Sequence, residues 1–318
     1  MPNPSAEDDR NPLTTHGTIA VVNLHAQIDA LTAAARTMTA RTTRPASEQL
    51  GLIDLLTLRG HVLGRIADYE HAHELAGHLI REAPHDPISF LAKARTDATF
   101  HRFDAAQADL DSAELLGLDR SALDAERAVI LQAVHDHARA RPLYESAERR
   151  RPDFGTIGAL AVLEAEGGDV AAAEKLFTEA RRRYRSTSPF ALASLDFRRG
   201  LMWLREGDLP TAYAWFDAAR RRVPAYAPAV ARLAEIDMTR GAYQTAIDRL
   251  RPLASSSDDP AYAAALSHAL DAAGRHLEAN QQRAAASARY EQLTLHHPEA
   301  YADHAAAFHR DALGHPVH

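Results

Sequence analysis

The chain has 318 residues, 46% of them hydrophobic, a formal net charge of −7 with histidine neutral, and no cysteine. That is enough apolar material for a sizeable core, and it excludes disulfides, a thiol nucleophile and cysteine-ligated metal. The acidic balance, with no sustained basic stripe, also points away from nucleic acid as a partner.

The first residues, MPNPSAEDDRNPL, lack the basic start and apolar run of a secretion signal. No later stretch has the run of apolar residues needed to cross a bilayer, so a soluble, cytoplasmic protein with no membrane partner is expected. Residues 1–16 read as a disordered tail. Residues 17–41 place Ile19, Val22, Leu24, Ile28 and Leu31 at helical spacing, which predicts an N-terminal helix. TTRPASEQ is the link that follows, and helix and link together occupy residues 17–48.

From residue 49 the chain repeats itself. In DFRRGLMWLREGDLPTAYAWFDAARRRVP, Gly200, Trp203, Gly207, Ala212, Phe216, Ala219 and Pro224 follow one another at intervals of 3, 4, 5, 4, 3 and 5. Small residues let two antiparallel helices approach, the aromatics fill the space between them, and the proline ends the second helix. This pattern resembles the tetratricopeptide repeat. It recurs roughly every 34 residues, with units starting near 53, 87, 121, 154, 193, 227 and 260. The resemblance implies an all-α, right-handed superhelical solenoid of about seven hairpins with capping helices at both ends.

The solenoid with its C-terminal capping helix is expected over residues 49–311. Pro210 suits the first turn of a second helix, and Pro252 should kink or shorten its helix. The RRR runs at 149–151, 181–183 and 220–222 fall at helix ends, where cations meet the negative end of the dipole. The last hairpin is lengthened, from about Leu277 to Leu295. Pro298 ends it and a further helix follows. The ending HHPEAYADHAAAF looks like the close of many bacterial tetratricopeptide proteins, and that likeness carries no activity. Residues 312–318 read as a disordered end.

In this family the first helix of each hairpin lines the concave surface, and the resemblance implies that its second, fifth, ninth and twelfth positions point inward. The N-terminal end of the groove then carries Asp54, Thr57, His61 and Arg95. The centre is small and apolar, with Ala122, Ala125, Val129 and Gln132, then Gly155, Gly158, Val162 and Ala165, then Ser194, Phe197, Leu201 and Leu204. The far end carries Glu235, Met238, His268 and Asp271. An apolar floor with polar ends suits a peptide or another ligand. The paired asparagines and lysines with which relatives clamp a peptide carboxylate are missing, because the asparagines, at 3, 11, 23 and 280, miss every groove position.

His268 and Asp271 lie three apart on one helix, and Glu235 holds the place equivalent to His268 in the preceding unit. With His304 of YADHAAAFH these four are candidate ligands for a divalent metal, or an acid–base set; a polar rim on a binding groove is the plainer reading. No resident cofactor follows from the residues. HAHELAGH, residues 71–78, is not a zinc-peptidase motif, since His73 and His78 are five apart and lie on different faces. His71, Glu74 and His78 share a face expected to be solvated. No nucleophile elbow, phosphate loop or dinucleotide turn is present. The leading expectation is a scaffold binding a protein or peptide in its concave groove. The alternative is a metal-dependent or acid–base enzyme with a groove site, acting on a small molecule or ribosomal peptide. A ligand sensor ranks third.

Overall fold

The computed structural model describes residues 12–37 and 46–312. These residues form sixteen helices and no strand. Residues 1–11 of the expected N-terminal tail, 313–318 of the expected C-terminal end, and 42–45, the first half of the link, lie outside the described residues. Helix α1 spans Gly17–Thr37. Seven hairpins follow: α2 (Ala46–Leu63) with α3 (Ile66–Glu82), α4 (Pro87–Thr99) with α5 (Phe103–Leu115), α6 (Arg120–Ala133) with α7 (His137–Arg150), α8 (Phe154–Glu166) with α9 (Val170–Arg183), α10 (Phe190–Arg205) with α11 (Leu209–Arg222), α12 (Ala227–Thr239) with α13 (Tyr243–Ser256), and α14 (Pro260–Ala272) with α15 (His276–His296). Helix α16 (Pro298–Ala312) packs on α15.

Unit starts follow the period read from the sequence, with two differences. Helix α2 begins at Ala46 rather than near 53, taking in residues assigned to the link. Ala46, Glu48 and Gln49 are good helix formers, and Glu48 sits in the first turn, where the dipole favours an anion. Pro252 does not stop α13 early. The helix runs one more turn to Ser256, where the Ser255 and Ser256 hydroxyls donate to the Pro252 carbonyl at 3.0 Å. The arginine runs do end their helices, but not all of their side chains are solvated. Arg181 and Arg222 turn inward onto Asp196, which is 1% exposed.

Within each hairpin the small residues act as expected. A Cβ on Gly200 would stand 2.6 Å from the Phe216 ring, so only glycine lets α10 lie this close to α11. The turn between the two helices needs a residue with positive φ. Five of the seven units place glycine there, Gly64, Gly168, Gly207, Gly241 and Gly274, but two use histidine: His101 at φ 59° and His135 at φ 60°. A side chain in that conformation costs on the order of 1 kcal/mol.

The array winds back on itself. Helix α2 packs on α12, and His61 Nε2 and the Tyr226 hydroxyl hydrogen-bond at 2.8 Å across 165 residues of sequence. Helix α3 has no capping side chain of its own. Asp258, from the loop before α14, supplies one: Oδ1 accepts from Ile66 N at 2.7 Å and Oδ2 from Ala67 N at 2.9 Å. Arg289 of α15 holds Asp258 and Glu70 of α3 together, each at 3.1 Å. Arg102, in the α4–α5 turn, donates to the His296 carbonyl at 3.0 Å, and Phe100 stacks on His297 with ring centroids 3.8 Å apart. One core cluster consequently joins α1–α4 to α10–α12.

Replacing His135 with glycine is expected to stabilise the fold by about 1 kcal/mol, read as a raised midpoint in urea. Replacing Asp258 with alanine is expected to cost about 1–2 kcal/mol through the lost cap and to speed amide exchange at Ile66 and Ala67. Unchanged exchange at those two amides would show that the cap contributes nothing.

Candidate functional site

The backward winding divides the concave surface. At its N-terminal end the polar groups satisfy one another. Arg95 Nη1 donates to both Asp54 oxygens at 3.1 Å, and Arg95 Nη2 to Glu126 Oε1 at 2.6 Å. The Thr57 hydroxyl turns back to the Ile53 carbonyl of its own helix at 2.9 Å. His61 is taken up by Tyr226, whose ring also rests edge-on against Phe197, 5.7 Å between centroids. Phe197 is buried and Leu201 packs against the same cluster. These residues belong to the groove by position, and the chain itself covers Phe197 and His61.

Two stretches stay open. The central one is a cavity of about 420 Å³ between α6, α8 and α10. Its floor is made by Gly155, Gly158, Ala159 and Val162. Its polar wall is a chain of hydrogen bonds: the Tyr144 hydroxyl donates to Gln132 Oε1 at 2.8 Å, and Gln132 Nε2 donates to Glu166 Oε2 at 2.7 Å. Arg198 lines the opposite side, exposed, with no ion pair or hydrogen bond among the described residues. Gly158 costs roughly 0.8–1.0 kcal/mol against alanine in a helix interior, and the missing side chains of Gly155 and Gly158 leave the floor bare.

The second stretch is a cavity of about 500 Å³ between α12, α14, α15 and α16. Helix α16 folds over it, so that Glu235, Met238, His268 and His304 share one lining, with Tyr290 and Phe308 beneath. Asp271 does not join them. Its carboxylate is held by Arg283, and by His276 Nδ1 at 3.0 Å, on the side of α15. Glu235 is itself paired with Arg232 at 2.6 Å. No group of three or more metal-binding side chains gathers among the described residues, so Glu235, His268, Asp271 and His304 do not form one ligand set.

Several important residues were not singled out from the sequence. Arg198 follows an inward position rather than occupying one, and Tyr144 lies on a second helix. Tyr226 and Asp258 sit in connecting turns. HAHELAGH divides as well: His71, Glu74 and His78 are exposed, as expected, whereas His73 faces the winding contact. There Arg102 Nη1 donates to His73 Nε2 at 3.0 Å, and Arg102 Nη2 to His297 Nδ1 at 3.3 Å.

Both of these imidazoles must be neutral to accept from Arg102. Burial, reinforced by the Lys93 and Arg102 charges, lowers His73 to about 4, and burial with Arg102 lowers His297. Burial, then the Arg198 charge, lowers His61 to about 4.

No protein-family description matches the chain, and no curated protein matches it. Solved structures do. The APC/C hetero-tetramer Cut9–Hcn1 superposes with a TM-score of 0.54 at 14% identity over 85% of this chain and 50% of that one. The human IFIT1 dimer with PPP-AAAA superposes with a TM-score of 0.58 at 15% identity over 82% of this chain and 63% of that one. PilW, a type IV pilus biogenesis factor, matches at 0.48 and 16% identity over 64% and 90%. The chain thus spans about half the length of the Cut9 chain. At these identities the likeness concerns the fold, a tetratricopeptide-repeat solenoid. No helix among the described residues is long and apolar enough to cross a membrane.

Histidines whose folded pKa lies below the free value of 6.5 stabilise the winding fully above pH 6.5, and that stability is lost as pH falls through about 4. Asp109, pushed up to about 6 mainly by burial and the neighbouring Asp97, acts in the opposite sense as it protonates. Amide exchange in α2 and α3 is expected to accelerate between pH 6.5 and 4 while α8 stays protected, once intrinsic rates are corrected. The double variant His61→Gln, His73→Gln should flatten that difference. An α2 and α3 as protected at pH 4 as at pH 7 would contradict it.

Proposed function

We propose that this tetratricopeptide-repeat solenoid is a scaffold that binds a segment of a partner protein in the open centre of its concave groove. The observation that carries this reading is the central cavity. Its floor is stripped of side chains at Gly155 and Gly158, so a ligand backbone can lie against the helix. An ordered polar wall faces it, and Arg198 stands there as a cation with no ion pair or hydrogen bond among the described residues. Buried apolar surface supplies affinity and a few fixed polar groups supply orientation. Nucleic acid suits the cavity poorly, since one arginine faces a carboxylate and the whole chain is acidic. A soluble cytoplasmic location fits a reducing compartment for a chain with no cysteine.

The C-terminal cavity supports a second reading, a small-molecule site with acid–base capacity. His268 and His304 share its lining and neither has a hydrogen-bond partner among the described residues. Glu235 is paired with Arg232 and Asp271 with Arg283, so this reading rests on the two imidazoles and requires no metal.

Gly158→Leu tests the first reading. A Cβ at this position just touches Leu195 Cδ1 at 3.4 Å, so the added side chain projects into the cavity while the helix gains stability. Partners recovered by the wild type from its host should fall at least tenfold with the variant. Equal recovery of every partner by both proteins would end the groove reading. His268→Ala tests the second: a small molecule that copurifies with the wild type and is lost in the variant supports it, and equal retention by both proteins ends it.

A further inference from the structure

We infer that the central cavity is a receptor for a short zwitterionic peptide, of two or three residues, with its carboxylate on Arg198 and its ammonium on Glu166; this rests on the reading of that cavity as the open part of the groove. Arg198 and Glu166 line the same cavity and carry opposite charges, yet no ion pair joins them. Both act electrostatically on the Tyr144 hydroxyl between them. Two opposite charges that face one apolar floor without meeting are complementary to a ligand bearing the same two charges in reverse order. Glu166 meets Gln132 at 2.7 Å and the His137 imidazole at 3.5 Å through Oε2 alone, and Oε1 has no hydrogen-bond partner among the described residues. It is also the last residue of α8, where the helix dipole adds its own negative end to the attraction for an ammonium group.

Size separates a short ligand from a long one. The cavity spans three first helices, α6, α8 and α10. Neighbouring packed helices stand about 8–10 Å apart, so the outer two axes are about 20 Å apart and their side chains leave roughly half of that free. An extended peptide advances about 3.3 Å per residue, which fits two or three residues. Both ends are closed off. Glu126, one helical turn before Val129, is held by Arg95, and Phe197, next to Arg198, lies against Tyr226. A chain threading the whole groove would have to displace one or the other. The volume of about 420 Å³ agrees with a ligand of this size.

Calorimetry with alanyl-leucine, its N-acetyl form and its C-terminal amide tests the assignment on the full chain. The free dipeptide should bind, and each block should weaken binding at least tenfold. Arg198→Gln should erase the preference for acid over amide while keeping that for free amine. Glu166→Gln should do the reverse, and because each readout is a ratio within one variant, a general loss of folding cannot imitate it. Equal affinity for free and blocked forms, or no binding of the free dipeptide, overturns the inference. A longer peptide with both ends blocked that binds wild type and not Gly158→Leu would overturn it as well, while leaving the scaffold reading in place.

Discussion

The loop carboxylate of Asp258 on the first turn of α3 is the contact on which the rest of the architecture depends. A helix N-terminus presents N–H groups that no residue of the helix can satisfy, and it carries the positive end of the dipole. Three of the seven second helices solve this locally with an aspartate at the cap, Asp136, Asp169 and Asp208. Helix α3 has arginine at that place and takes its acceptor from the sixth inter-unit loop instead. Arg289 then balances the carboxylate and ties it to Glu70. The cap is therefore a long-range contact with the geometry of a local one, and it sets where the last hairpins stand against the first.

From that placement the character of the groove follows. A uniform concave surface would offer one long trough. Here the first hairpin presses His61 onto Tyr226, and the trough becomes two cavities with different chemistry. The central one is bare-floored, with opposed charges. The C-terminal one is aromatic-floored, with two imidazoles at its rim. Exposed polar residues at the N-terminal end, conspicuous as candidates by type, are spent on one another: Asp54 and Glu126 share Arg95, and none is left for a ligand.

What could be read from the sequence was whatever repeats. Glycine, alanine and aromatic spacing located the hairpins, because the packing of two antiparallel helices imposes the same demand in each unit. Of the positions expected to point inward in the central units, Val129, Gln132, Gly155, Gly158, Val162 and Ser194 line the central cavity, whereas Ala122, Ala125 and Ala165 are not part of its lining. The winding contact was hidden, since its residues sit in turns and belong to no period: Tyr226, Asp258 and Arg102 each occur at one place only. Weighting candidates by residue type then favoured the ends of the groove over its small-residue centre. His304 is exposed and reaches the same lining as His268. Asp271 shares a helix face with His268 by spacing, but the neighbouring α15 offers it Arg283 and His276, and pairing with them outweighs turning to the groove.

The backward contact also changes what kind of object the chain is. Open repeat arrays behave almost one-dimensionally: each unit answers to its neighbours, units can fray from an end, and units can be added or lost with little penalty. Contacts that span 165 to 219 residues remove that freedom. The first and last hairpins should unfold together rather than fray separately, and loop closure over such distances makes folding slower than the local helices alone would suggest. The number of repeats is fixed as well. One more hairpin would carry Asp258 past the end of α3, leaving a helix without its cap and a carboxylate without its partner.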